Sequence, residues 1–241
     1  RKRAETILDF LGKDEISGVY INFPDPWEGE EKKRVISNSL FSKLDIILRT
    51  NGKLFFKTDH DQYYEDVLDI HETLYKIHWA DCPFKRYLVM EEEPDNKNIL
   101  NNYDKVIITG KESGKKNHLR ITQALEQINT SYVAFFQEDM LLCNKVNSAD
   151  IISLLNSAIK HKAGVMRLLP VTTEYARIFS EKDNLVEYPK GTPYRISYAP
   201  AIWEKNFLYN ISKEFVYGGD FERKGTFMAL DMSEKVLGAN Y

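Results

Sequence analysis

The chain has 241 residues, of which 43% are hydrophobic and 29% charged, and it carries a formal net charge of −3. That is enough apolar material for one large or two small domains with real cores. The acidic balance, with a pI near 6.0, argues against a globally basic nucleic-acid-binding domain. Basic residues cluster only locally, at Arg1-Lys2-Arg3, Lys32-Lys33-Arg34 and Lys115-Lys116. Each cluster reads either as a solvated surface or as a phosphate contact.

Cys82 and Cys143 lie far apart, with no second thiol or histidine at ligand spacing, which argues against a zinc site. They fit a reducing, cytoplasmic setting. No apolar run approaches 18 residues, so no membrane span is expected, and no signal peptide is expected either. The first residue is Arg rather than Met, which is read as the mark of a fragment.

In chain order, Ala4, Ile7, Leu8 and Leu11 fall on one face at helical spacing, and Gly12 is a plausible stop. Residues 18–23 read as a buried strand. Ser37 or Ser39 can cap a helix running to about Arg49, with Leu40, Leu44, Ile47 and Leu48 inward. Asn51-Gly52 ends it, and Lys53–Lys57 is a second strand. A helix over Tyr63–Ile77 follows, with Val67, Ile70, Leu74 and Ile77 inward.

Beyond a turn at residues 79–84, strands are expected over 86–90, 105–109, 132–137, 165–169 and 194–198. Helices are expected over 117–128, 150–161 and 203–212. Strands alternating with helices define the class as α/β. The domain boundary is placed between residues 55 and 65, giving blocks 1–59 and 60–241.

Within the first block, Val19-Tyr20-Ile21-Asn22-Phe23 runs into Pro24-Asp25-Pro26-Trp27. Each proline fixes φ near −65° and pushes the residue before it toward an extended conformation. Asp25 is thus presented stiffly at the carboxyl end of a strand, the edge where ligands bind in open α/β sheets. A plain turn would accept any polar residue there and would not need the tryptophan.

This stretch resembles the bacterial tRNA guanine-N7 methyltransferases. The resemblance runs from Arg1 to Asp59. It rests on Arg3-Ala4-Glu5, Ile21 to Trp27, Arg34-Val35-Ile36 and Gly52-Lys53-Leu54-Phe55-Phe56-Lys57-Thr58-Asp59. It implies a Rossmann-like sheet, S-adenosylmethionine as cofactor and tRNA as partner. It places Asp25 between methyl donor and target guanine as a catalytic and cofactor-binding residue. Thr58 and Asp59 become substrate contacts, with Asp59 also near the cofactor.

The sequence departs from the family in two places. No glycine-rich donor loop precedes Asp25, so little methyl transfer is expected from these residues alone. The segment after Trp27 reads Glu28-Gly29-Glu30-Glu31-Lys32-Lys33-Arg34, where the family has a lysine-rich loop containing histidine.

In the second block, the apolar strand Tyr132–Phe136 leads directly into Gln137-Glu138-Asp139. Adjacent carboxylates repel, and either a bound cation or a capped turn relieves that. Mg²⁺ or Mn²⁺ carrying a diphosphate fits such a pair, because hard cations take oxygen ligands. With Thr130-Ser131-Tyr132-Val133, Trp79–Phe84, Tyr194–Tyr198, Pro200–Trp203 and Asp220-Phe221-Glu222, the pair is similar to nucleotide-sugar glycosyltransferases of the GT-A type. That resemblance covers about residues 60–230.

The second resemblance implies a GT-A-like domain with Glu138 and Asp139 as metal residues. Glu222 becomes a candidate general base, and a glycan or lipid-linked acceptor the partner of the sugar donor. Arg195 suits a phosphate or a buried carboxylate, and Trp203 a sugar platform or the core. His60, His71, His78, His118 and His161 form no ligand set, Gly110 to Gly114 no phosphate loop, and Gly218-Gly219 a flexible turn. Three readings follow: a methyltransferase segment joined to a glycosyltransferase, a glycosyltransferase with a non-catalytic remnant, or a chimeric chain with no activity.

Overall fold

The computed structural model describes residues 4–22, 38–57, 61–94, 97–113, 116–137, 140–169, 173–216 and 218–240. The chain divides into two compact units. Unit 1 comprises residues 1–82 and 138–146; unit 2 comprises 83–137 and 147–241. The division after Cys82 differs from the boundary at residue 59, because the helix that follows Thr58 belongs to unit 1.

Unit 1 opens with a 3-10 helix, Ala4–Asp9, where a longer α-helix was expected; Thr6 leaves helical φ/ψ. Strand β1 (Ile16–Asn22) is followed by helix α1 (Asn38–Ile47) and strand β2 (Leu48–Lys57). The two strands pair in parallel, with Gly18 opposite Lys53 and Asn22 opposite Lys57. Parallel neighbours need a crossover connection, and α1 lies in it.

The register shifts between Ile16 and Gly18. That irregularity absorbs Asn51-Gly52 into β2, so the strand starts earlier than expected. Leu40, Leu44 and Ile47 on α1 form a buried cluster that Ile7, Leu11, Val19 and Leu141 close. Helix α2 (Asp61–His78) buries Val67, Leu68 and Trp79 just beyond its end. Ile77, expected inward, is 64% exposed. His71, Tyr75 and Trp79 stack in sequence at i, i+4 spacing, with ring centroids 6.2 and 5.5 Å apart.

In unit 2, strands β3 (Tyr87–Met90) and β4 (Lys105–Ile108) form a parallel pair. Then follow α3 (Asn117–Glu126), β5 (Tyr132–Phe135), α4 (Ser148–His161) and β6 (Ala163–Arg167). A hairpin of β7 (Arg177–Ser180) and β8 (Leu185–Glu187) precedes β9 (Ala201–Glu204). Helices α5 (Lys205–Ser212) and α6 (Gly218–Met228) lead to β10 (Lys235–Ala239).

Among the described residues the larger sheet has the order β5-β9-β6-β10-β8-β7. Strand β9 runs antiparallel to β5 and β6, while β10 runs parallel to β6. The carboxyl ends of β5, β6 and β10 therefore share one edge.

Alternation along the strands decides which helices cover which face. Met166, Ile202 and Leu237 pack with Ala158, Leu154 and Leu155 of α4. Their neighbours Val165, Trp203 and Val236 pack with Phe207, Leu208 and Ile211 of α5 and with Phe221 of α6. Both faces are covered, so β6 is buried along its whole length. A β-carbon at Gly164 would fall 2.8 Å from Glu234 Cβ and 2.9 Å from the Phe207 ring. Only glycine admits that approach of α5 to β6.

Three expectations are corrected here. Residues 194–198 are turns and bends rather than a strand. Tyr194 has φ of 52°, and Arg195 N–H closes a turn onto Thr192 O. Trp203 lies in a strand rather than a helix, because Ala201-Ile202-Trp203 fills the place between β5 and β6. The helix begins only at Lys205, where Glu204 accepts the Phe207 N–H at 2.6 Å as its N-cap. Gly218-Gly219 opens α6 instead of forming a turn.

The hairpin is tied to the end of α4 through Asp183. Its carboxylate accepts from Lys160 Nζ at 2.7 Å and pairs with His161 Nε2 at 2.8 Å, with Ser180 Oγ at 3.2 Å. The hydrogen bonds from Lys160 and then His161 lower its pKa to about 2, from an ordinary 3.8, against a small burial effect. A depressed acid stabilises the fold above its unfolded value, and the contribution disappears as pH falls through the folded one. The urea midpoint should therefore fall between pH 4 and pH 2. Asp183→Asn should lower the midpoint at pH 7 and flatten that dependence; an unchanged acid limb would contradict the role.

Candidate functional site

In unit 1 the site is defined by where two strands end. With Asn22 opposite Lys57 in a parallel pair, the chain leaves β1 and β2 side by side at one sheet edge. Asp25 follows Asn22 by three residues, and Thr58-Asp59 follow Lys57 directly. Asp25, Thr58 and Asp59 themselves lie outside the described residues, as do Glu138 and Asp139. Glu138 follows Gln137, two residues beyond Phe136, on the segment that continues β5.

Among the described residues, no group of three or more His, Cys, Asp or Glu could hold a metal ion. No described helix is long and apolar enough to cross a membrane.

In unit 2 the described candidates gather around the segment that precedes β9. Tyr198 stacks on Phe221 with centroids 3.9 Å apart at 8°, and its ring lies 5.5 Å from Phe135 on β5. Glu222 Oε1 accepts the Tyr198 N–H at 3.2 Å. One turn on, Thr226 Oγ1 accepts the Ile196 N–H at 3.2 Å. These two side chains of α6 satisfy backbone donors that no strand ladder would satisfy here. Burial pushes the Tyr198 phenol upward; the Ser212 hydroxyl opposes this, the Glu222 charge adds to it and Arg120 opposes it.

Arg195 is 2% exposed. It donates through Nε to Tyr188 O at 2.9 Å, through Nη1 to Ala229 O at 3.5 Å and through Nη2 to Glu234 O at 2.9 Å. Three separate segments are thus held by one guanidinium. Instead of a phosphate or a carboxylate, the structure shows it bonded to carbonyls in the interior. Burial lowers its pKa, and the charges of Glu187 and Glu234 oppose the shift.

Arg167, at the end of β6, stacks over the Tyr188 ring at 4.4 Å and donates to Tyr194 O. Its pKa falls to about 10 through burial; Tyr188 opposes the shift and Arg195 adds to it. Tyr188 and Arg167 were not singled out from the sequence. Arg167 at the last position of an apolar strand was the available signal. Trp203 is 0% exposed and belongs to the core, so a sugar platform is ruled out for it.

Comparison with known proteins bears on the amino-terminal part. Residues 1–95 match the family model described as "Putative methyltransferase". The match extends past Asp59 through α2 and β3. A bifunctional glycosyltransferase/methyltransferase of Fusobacterium nucleatum is 60% identical over 74 residues, 31% of this chain and 12% of that protein. A tRNA (guanine-N(7)-)-methyltransferase of Halalkalibacterium halodurans is 38% identical over 61 residues, 24% of this chain and 28% of that protein. One from Ureaplasma parvum is 30% identical over 123 residues, 48% of this chain and 54% of that protein.

The chain thus spans between about a tenth and a half of the length of these curated relatives. No solved structure matches it. The first 95 residues are similar in sequence to that methyltransferase model, and the fold that contains them is mixed α/β.

The Glu222 contact makes a direct prediction. Glu222→Ala leaves the half-buried Tyr198 N–H without its acceptor, which should cost about 1–3 kcal/mol. Urea unfolding followed by tyrosine and tryptophan fluorescence measures this. An unchanged midpoint would show that water replaces the carboxylate at no cost.

Proposed function

We propose that unit 1 carries the substrate-facing edge of an S-adenosylmethionine-dependent tRNA guanine-N7 methyltransferase. The parallel register of β1 and β2 supports this most directly. Asp25 follows Asn22 by three residues, a reach of at most about 11 Å, and Thr58-Asp59 follow Lys57 directly in sequence. Ligands of open α/β sheets bind at that edge.

The resemblance gives Asp25 the place between donor and guanine and gives Thr58 and Asp59 the substrate contact. When bound, S-adenosylmethionine supplies an electrophilic methyl group. The chain's own part is to hold the guanine N7 lone pair in line with it, and positioning carries most of such a barrier. The named activity of the Halalkalibacterium and Ureaplasma relatives supports tRNA as the substrate class.

In the natural protein that bears this segment, Asp25→Asn should lower methyl transfer to unmodified tRNA by about a hundredfold, the scale of a misplaced reactant. Transfer of a labelled methyl group measures it. Wild-type rates in that variant would remove Asp25 from the chemistry.

A second reading is carried by β5. We infer that the part of residues 60–241 beyond the methyltransferase match forms a GT-A-like nucleotide-sugar transferase, with Glu138 and Asp139, which follow β5 in sequence, holding Mg²⁺ or Mn²⁺ on the donor diphosphate. Paired carboxylates are the hard oxygen donors these ions prefer. When bound, the ion supplies charge stabilisation for the departing diphosphate. Glu222 is the candidate base for a hydroxyl of a glycan or lipid-linked acceptor, and the Tyr198 N–H fixes the direction of its carboxylate. The bifunctional name of the Fusobacterium relative agrees with two transferase activities in one chain.

Mn²⁺-dependent hydrolysis of a nucleotide sugar should fall by about a hundredfold or more in Asp139→Ala, the scale of several kcal/mol of lost charge stabilisation. Unchanged turnover would dispose of the metal role.

A further inference from the structure

The chain enters unit 1 twice. After β5 it passes Gln137, gives residues 138–146 to unit 1, and returns to unit 2 at Asn147, the N-cap of α4. The described part, residues 140–146, does two things within unit 1. Leu141 packs against the buried cluster of Leu40, Leu44 and Ile47 on α1. Val146 N–H donates to the carbonyl of His78, the last residue of α2, at 2.8 Å. Carbonyls at a helix end have no partner within the helix, so this bond satisfies one of them.

A connection that only joined a strand to the next helix would need neither contact. Ordering each residue costs conformational entropy, so a segment held at both ends must be held by contacts that matter. Here one end closes an apolar face and the other finishes a helix.

We propose that residues 140–146 are a coupling strap. Unit 1 closes its apolar interior only when this segment, carried in the chain between β5 and α4, is seated against α1. The stability of unit 1 then depends on a segment that lies after β5 in the chain.

Hydrogen exchange on the full chain tests the seating. In Leu141→Ser, amide exchange across Leu40–Ile47 should quicken about tenfold or more through local opening, while α5 and β9 keep their rates. Val146→Pro, which removes the donor, should quicken exchange at the end of α2 in the same selective way. Unchanged exchange in α1, or equal quickening across α5 and β9, would overturn the strap.

Discussion

The parallel pairing of β1 with β2 is the constraint on which the functional account depends. Parallel strands point their carboxyl ends the same way, so whatever follows each strand emerges at one edge. A register slip by one residue would turn every side chain of a strand to the other face. The buried cluster on α1, closed by Val19 from β1, opposes such a slip. Burial far from the motif thus fixes where β1 and β2 end, after Asn22 and Lys57.

Unit 2 uses the same logic in a mixed sheet, then departs from it. Alternation along β6, β9 and β10 divides the core between α4 on one face and α5 with α6 on the other. Just before β9 the ladder stops and side chains take over. Arg195, Arg167, Glu222 and Thr226 hydrogen-bond backbone groups of Tyr188, Tyr194, Tyr198 and Ile196 between β8 and β9. Burying two guanidiniums is costly, and their carbonyl partners offset that cost. The result is an irregular segment with fixed geometry beside the end of β5.

Much of this was legible in the sequence where one residue type has one physical meaning. The apolar run ahead of Pro24 marked where β1 ends. The apolar runs of β1, β5 and β6 and the periodicity of α1, α2 and α4 gave elements close to those observed. Other parts were illegible for identifiable reasons. Trp203, Phe207 and Ile211 are four apart and suggest one helix, yet the pairing of Ala201–Glu204 between two strands overrides that spacing. Tyr194–Tyr198 has the composition of a strand, but a left-handed Tyr194 and the Arg195 turn prevent it.

The β7–β8 hairpin and β10 are short, and their partners lie far away in sequence, so only tertiary pairing reveals them. Gly218-Gly219 disguised the start of α6. The carbonyl partners of Arg195 were not legible, since sequence does not say which buried acceptors a guanidinium meets. Leu141 was visible only as part of an apolar triplet after the acidic pair. Its membership in the first unit follows from packing alone.

The register itself can be measured. Neighbouring strands lie about 4.8 Å apart, within the Cα separations that a disulfide bridges. With Cys82 and Cys143 replaced by serine, Asn22→Cys combined with Lys57→Cys should oxidise readily to an intramolecular disulfide. Asn22→Cys with Phe55→Cys, displaced by two positions, should not. Cross-linking of the displaced pair, or of neither, would mean that the two motif segments do not leave the sheet together.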